Sequence, residues 1–243
     1  MHDYNIIKFK TISSTNTYLK DNFESLPEFT VVTSDIQTGG KGRMGREWQS
    51  DEGNLYFSIL LTNSVNKIKK NSISAITLIV GLAVTKVLNE YTSCMIKWPN
   101  DVLVGNRKIC GILCEAISYD KVKALVIGVG LNLNQTTFSN EIKSKAISLK
   151  NIINKDSDKI NILSKILKQF DLEYAKFCKG DKGYIAQLNK FSYLNNKNAY
   201  IKGENVKILG IDDNGLLKVE ARDGVKLVTS GEVTLTDTYE VTK

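Results

Sequence analysis

Four short runs between residues 94 and 134 constrain the fold more than any other feature of the chain. CMIKW (94–98), DVLV (101–104), RKICGILCEAI (107–117) and VKALVIGVGLNLN (122–134) are dominated by β-branched and apolar residues, with only brief polar breaks between them. They read as successive strands, largely antiparallel, with GNRK (105–108) as a hairpin turn. A chain that commits its middle to such a sheet must cover it with helices or a second sheet.

The rest of the pattern supplies that cover. YNIIKFK (4–10), FTVVTSD (29–35) and GNLYFSILL (53–61) read as further strands. SSTNTYLKDNFESL (13–26) reads as a helix with a Ser/Thr cap. A second helix is predicted over 72–91. Its apolar stretch, 73–88, is interrupted by Ser, Thr and Lys and is shorter than the ~20 residues of a membrane span, so it reads as a buried helix of a cytoplasmic protein. KINILSKILKQFDLEYAKFC has apolar residues at 163, 166, 167, 170, 174 and 177, a helical period, and the shorter helix GYIAQLNKF follows it. Beyond NNKN (195–198) the texture changes to short strands separated by DDNG, RDG and SGE, which argues for a small antiparallel barrel. The expected organisation is therefore α+β: a mixed sheet flanked by helices over 1–194, then an all-β unit over 195–243.

Composition excludes several chemistries. The four cysteines form no C-x-x-C pair and the chain has a single histidine, which leaves no zinc set. Cys110 and Cys114 are spaced to share a strand face, and small buried thiols in a reducing compartment are expected. His2 is expected at a frayed terminus, which argues against a histidine base. No signal peptide opens the sequence. The net charge of +7 is compatible with nucleic acid, anionic lipid or phosphorylated small molecules, but the lysines are scattered as on an ordinary solvated surface.

One segment is not ordinary. GGKGRMGR (39–46) holds four glycines and three cations and no acid. GKGRMG (40–45) formally matches G-x-G-x-x-G, but a strand rather than a helix follows, so no helix N-terminus is aimed at a pyrophosphate. Kinase and Walker A loops fail for want of their companion motifs. What remains is a mobile loop whose backbone N–H groups and cations Lys41, Arg43 and Arg46 can engulf a phosphate ester. Two further constellations accompany it. In KWPNDV (97–102), Pro99 holds Trp98 extended and sets Asn100 and Asp101 at a strand junction. In RKICGILCE (107–115), Lys108 stands seven residues after Asp101 across the GNRK turn, where a hairpin could bring the two together.

STN (14–16), GGKGRMGREW (39–48), KWPNDV, RKICGILCE and GVGLNLN (128–134) together resemble, in order, the motifs of biotin protein ligases. The resemblance spans about residues 4–236. It implies a mixed-sheet catalytic domain followed by an SH3-like barrel. It also implies a two-step reaction: biotin and ATP, with Mg²⁺, give biotinyl-5′-AMP, and a lysine of a biotin carboxyl carrier protein then takes the biotinyl group. Matched residue by residue, Arg43 and Lys108 would stabilise charge at the reacting phosphate, with Lys41 near the biotin carboxylate. Ser14, Thr15 and Asn16 would line the ureido end, and Gln37 another part of the pocket. Gly40, Gly42 and Arg46 belong to the loop. Gly111 and Gly130 would be bare backbone on which the ligand lies, and Trp48 would pack near the adenylate as the loop closes. Asp101 would hold metal or orient the incoming amine. Asn132 would contact nucleotide or simply end a strand.

The resemblance departs from the family at Lys41, where an arginine is usual, and in starting directly at the catalytic domain, from which no DNA binding and no repressor activity are expected. No membrane partner is expected. Exposed strands could support a homodimer. An acyl-adenylate hydrolyses easily, so residues 39–48 are expected to be disordered without ligand and ordered over biotinyl-AMP. Two rival readings are a lipoate or octanoate ligase, which needs a long apolar tunnel, and a nucleic-acid-binding module. The second is weakened by Glu204, Asp212, Asp213, Glu220, Asp223 and Glu232 among the lysines of the tail.

Overall fold

The computed structural model describes residues 2–67, 73–201, 203–229, 231 and 233–236. Its centre is a seven-stranded mixed sheet in the order β1-β2-β3-β7-β6-β5-β4. The strands are β1 (Asn5–Ile12), β2 (Thr30–Gln37), β3 (Leu55–Leu61), β4 (Met95–Lys97), β5 (Asp101–Val104), β6 (Arg107–Ser118) and β7 (Val122–Leu131). β1 and β2 pair in parallel, and the other neighbours are antiparallel. The four runs of the middle region are thus consecutive antiparallel strands, as their spacing predicts.

Helices cover both faces. α1 (Thr15–Asn22) is capped by Ser14, whose hydroxyl accepts from the Thr17 N–H. It buries Leu19 against Val32, Leu60, Ala124 and Val126 on one face of the sheet. On the other face lie α2 (Ile73–Leu88), the four-residue α3 (Lys150–Ile153), α4 (Lys159–Cys178) and α5 (Gly183–Lys190). Leu163, Ile166, Leu167, Phe170 and Tyr174 of α4 pack into the main core beside Ile76, Ile79, Leu82 and Ala83 of α2. Each fully buried Leu, Ile or Phe among these contributes ~1.5–3 kcal/mol. Among the described residues no helix is long and apolar enough to cross a membrane. Residue 72, where the sequence pattern begins α2, lies outside the described residues.

The C-terminal unit is a five-stranded antiparallel sheet in the order β11-β10-β9-β8-β12. Its strands are β8 (Asn198–Ile201), β9 (Glu204–Ile211), β10 (Leu217–Ala221), β11 (Gly224–Val228) and β12 (Thr234–Leu235). Among the described residues β11 and β12 do not pair, so the sheet is open where a closed barrel is expected. Of the predicted SGE turn only Gly231 is described. The sheet is not an isolated bead. Ala199, Ile201, Val206, Ile208, Leu217 and Val219 belong to the same buried cluster as α2 and β6. The Trp98 indole N–H donates to the Gly215 carbonyl at 3.1 Å, and the Asn189 amide of α5 bonds both the N–H and the carbonyl of Ile211. Trp98 is thereby a buried latch, and its bond to Pro99 is cis.

Two expectations need correction. His2 is not frayed: its ring stacks on Phe29 with centroids 3.7 Å apart, and Nδ1 lies 2.7 Å from Asp171 Oδ1. Cys178 is exposed and Cys114 half-buried, whereas Cys94 and Cys110 are buried as anticipated. Burial pushes the Cys94 and Cys114 thiols up to about 12, so neither is a reactive thiolate near neutral pH.

Candidate active site

Strand periodicity builds the floor of the site. On β7, Leu125, Ile127, Val129 and Leu131 enter the main core, so Ala124, Val126, Gly128 and Gly130 face the α1 side. The first two carry side chains that pack under α1, and the next two carry none. The register sets Gly111 of β6 directly opposite Gly130, and Leu113 opposite Gly128. Two facing glycines leave a patch of bare sheet. Trp48 lies on it: a Cβ at Gly130 would fall 2.5 Å from the indole, and one at Gly111 2.7 Å from it. A Cβ at Gly128 would collide with Asn16 Oδ1.

Residues 39–48 form the roof. Lys41 bridges Glu47 in antiparallel fashion, the Gly42 N–H donates to Arg46 O at 2.7 Å, and the Trp48 N–H donates to Gly40 O at 3.0 Å. Between them a 3₁₀ turn, Arg43–Gly45, reverses the chain through left-handed backbone at Met44 and Gly45. Arg43 points inward, and its Nη1 donates to Asn100 Oδ1 at 3.0 Å. Burial lowers the Arg43 pKa and the nearby Arg46 adds to this, while Asp101 opposes it. An arginine shifted this way still keeps its charge. Asn100 is itself fixed, donating to Ile112 O through Nδ2 and accepting from Ile112 N–H through its carbonyl, each at 3.0 Å.

Lys108 reaches the site through a bulge. In an unbroken strand Lys108 and Cys110 would share a face, and Cys110 faces the core. The β5–β6 register slips, however, pairing Val102 with Cys110 but Leu103 with Lys108. A bulge re-aims the side chains beyond it. Lys108 therefore joins the face of Gly111, with Nζ 2.7 Å from Asp101 Oδ1 and 5.0 Å from the Trp48 ring centroid. Asn132 secures this distortion from behind, donating through Nδ2 to Lys108 O at 3.3 Å and to Ile147 O at 3.2 Å.

The far end of the pocket is a chain of neutral polar groups. Thr15 donates to Gln37 Oε1 through both N–H (2.9 Å) and Oγ1 (3.1 Å), and Gln37 Nε2 donates to Ser50 Oγ at 3.0 Å. Ser58 Oγ lies 2.7 Å from Thr15 Oγ1 and 2.5 Å from Asn16 Oδ1.

Of the residues singled out in the sequence, Ser14, Thr15, Asn16, Gln37, Lys41, Gly42, Arg43, Trp48, Lys108, Gly111 and Gly130 line one pocket. Gly40, Arg46, Asp101 and Asn132 do not line it. Gly40 lies where a Cβ would strike Ser50 and the Trp48 carbonyl, and Arg46 is exposed. Among the described residues no three or more His, Cys, Asp and Glu side chains group so as to hold a metal ion. Asn100 and Gly128 line the pocket and were not among the predicted site residues, although both stand inside the motifs quoted above. Ser58 was missed as well. It sits in a run of seven buried residues with nothing in the sequence to mark it.

Comparison with known proteins places the chain among relatives. Residues 8–132 match the model of the "Biotin/lipoate A/B protein ligase family". The chain is 32% identical over 223 residues to the bifunctional ligase/repressor BirA of Bacillus subtilis, covering 86% of this chain and 67% of that one. It is 29% identical over 235 residues to biotin–protein ligase 2 of Arabidopsis thaliana, covering 88% and 69%. The solved structure of the Aquifex aeolicus biotin protein ligase in complex with biotin and ATP superposes with a TM-score of 0.84 at 33% identity, covering 95% of this chain and 98% of that one.

Proposed function

This chain belongs to the biotin/lipoate A/B protein ligase family, and we propose from that premise that the pocket over Gly128 and Gly130 is where it joins biotin to ATP. The protein is a biotin–protein ligase: it activates biotin as biotinyl-5′-AMP and transfers the biotinyl group to a lysine of a biotin carboxyl carrier protein. The observation that carries this reading is the division of one pocket into two chemistries. The cations Arg43 and Lys108 gather at the Asn100–Asp101 junction, the neutral Thr15, Asn16 and Gln37 are joined to one another by hydrogen bonds, directly or through Ser58, and Ser14 and Lys41 line the same pocket.

In the first step the biotin carboxylate must attack the α-phosphate of the triphosphate, itself an anion that repels it, forming the acyl–phosphate bond as the α–β bond breaks and pyrophosphate leaves. Arg43 and Lys108 offset that repulsion and stabilise the charge on the phosphorus in the transition state. Lys41 holds the biotin carboxylate. Mg²⁺ would come with the triphosphate and neutralise part of its charge, and Asp101 is the carboxylate that would hold it. Asp101 also keeps the Lys108 ammonium in place through their 2.7 Å pair. Asn132 maintains the bulge that aims Lys108. The indole of Trp48, now on bare sheet, marks where the flat adenylate packs, and Gly40, Gly42 and Arg46 give the loop its freedom and charge. In the second step the carrier lysine attacks the acyl carbon, AMP leaves, and Asp101 orients the amine.

The finer organisation completes the proposal. Residues 1–194 form the catalytic domain, and residues 195–243 a C-terminal domain of the SH3-like class, whose sheet is open among the described residues. The enzyme works in the cytoplasm, and its exposed strands allow a homodimer. Incubation with biotin, ATP and a carrier domain tests the function. Intact-mass spectrometry is expected to show the carrier heavier by one biotinyl group, and no gain with biotin together with a gain with lipoate would refute the reading.

A further inference from the structure

The Asn16 side chain presents a question of orientation. The residue is almost fully buried, at 4% exposure. One end of its amide faces Leu113 O at 3.2 Å and Glu115 Oε2 at 2.8 Å. A backbone carbonyl and an ionised carboxylate only accept, so that end is the NH₂ and both its protons are taken. The other end, Oδ1, receives Ser58 Oγ and lies over Gly128. What Asn16 turns to the pocket is therefore an acceptor. A ligand that meets it must bring a donor.

From this geometry we infer that Glu115 is a positioning residue for biotin: it locks the Asn16 amide oxygen-inward and so tunes the pocket to the N–H groups of a cyclic urea. The inference rests on the ligase reading above. Glu115 is suited to the task because it cannot act as a donor while ionised. Burial pushes its pKa up, but hydrogen bonds from Lys20 and Asn16 and the charges of Lys20 and Lys41 outweigh this and hold it below the ordinary carboxylate value. Lys20 Nζ stands 2.6 Å from the other oxygen, Oε1, and thereby leaves Oε2 for Asn16. Glu115 itself does not line the pocket and acts through Asn16 alone. Without it one amide N–H is left buried and unpaired, and the amide loses its reason to point one way.

Pyrophosphate release, measured at varied biotin and at varied ATP, tests this with variants that separate positioning from the ion pair. E115M keeps the volume and removes the acceptor. It is expected to raise the biotin KM about tenfold or more, leaving the ATP KM within about twofold. E115Q keeps an oxygen for Asn16 and is expected to recover most of that loss. K20M removes the ion pair but not the acceptor, and its biotin KM is expected within about threefold of wild type. Equal losses in E115M, E115Q and K20M would show a structural ion pair and overturn the inference, as would an unchanged biotin KM in E115M. Should E115M fail to fold, N16D decides. It sets two carboxylates face to face, and N16D/E115Q replaces that clash by a donor–acceptor pair. At least about a tenfold recovery of biotin KM in the double variant is expected, and no recovery overturns the inference. Absence of biotin-dependent release from the wild-type enzyme would overturn the ligase reading and this inference with it.

Discussion

Gly130 and Trp48 share one space, and that dictates what Gly130 can become. Any Cβ there falls 2.5 Å from the indole, closer than nonbonded carbon atoms approach. The backbone at Gly130 is ordinary strand, so the cost of G130A is not conformational. It is the displacement of Trp48 and of whatever flat group packs there. We expect G130A to raise the ATP KM about tenfold, corresponding to ~1–3 kcal/mol of overpacking, with the melting temperature lowered by only a few degrees. Steady-state kinetics and thermal melts check both. A normal ATP KM would mean that the ligand does not use this patch.

At the scale of elements, the glycine loop is closed by few contacts. The Arg43–Asn100 hydrogen bond ties it to the β4–β5 junction, and the Lys41–Glu47 bridge gives it internal order. Arg43→Gly removes the tie and a cation together. We expect it to release biotinyl-AMP to solution at least tenfold faster, read by chromatography of the filtrate, and to leave the loop open to protease even with adenylate present. Retained adenylate and a protected loop would take Arg43 out of its role. The strands and helices around this loop were legible because their periods are strong: alternation in β7, and the 3.6-residue repeat of α4. The bulge that aims Lys108 was not. Parity along RKICGILCE assigns Lys108 to the core face with Cys110, and only the 145–147 segment and Asn132, distant in sequence, hold the backbone otherwise. Glu115 and Ser58 were illegible for a related reason. Their partners Lys20, Asn16 and Thr15 lie on α1, and no local signal announces which strand residues a helix will meet. Asn100 was visible as a junction residue, but its role in fastening Arg43 needed the loop's fold.

For the whole molecule, the C-terminal sheet and the catalytic unit share a core. The seam includes Trp98, from the same KWPNDV motif that supplies Asn100 and Asp101, so the latch and the site are one short segment apart. W98F keeps most of the apolar bulk and loses the bond to Gly215 O. We expect a loss of about 1 kcal/mol, or about 2–4 °C in the melting temperature for a chain of this size, in a single transition. Two resolved transitions, with only one shifted, would show that the two units unfold independently. Among the described residues the C-terminal sheet is open, where the spacing of its turns suggested a closed barrel. Turn spacing fixes the order of short strands, but pairing between the first and last depends on geometry that spacing does not encode.

Selection of biotin for adenylation by this pocket is tested by pyrophosphate release from ATP. With biotin as the only acid, we expect ATP-dependent release by wild-type protein and a loss of at least about a hundredfold in Lys108→Ala, and with lipoate no release above background. Release with lipoate alone would contradict that selection.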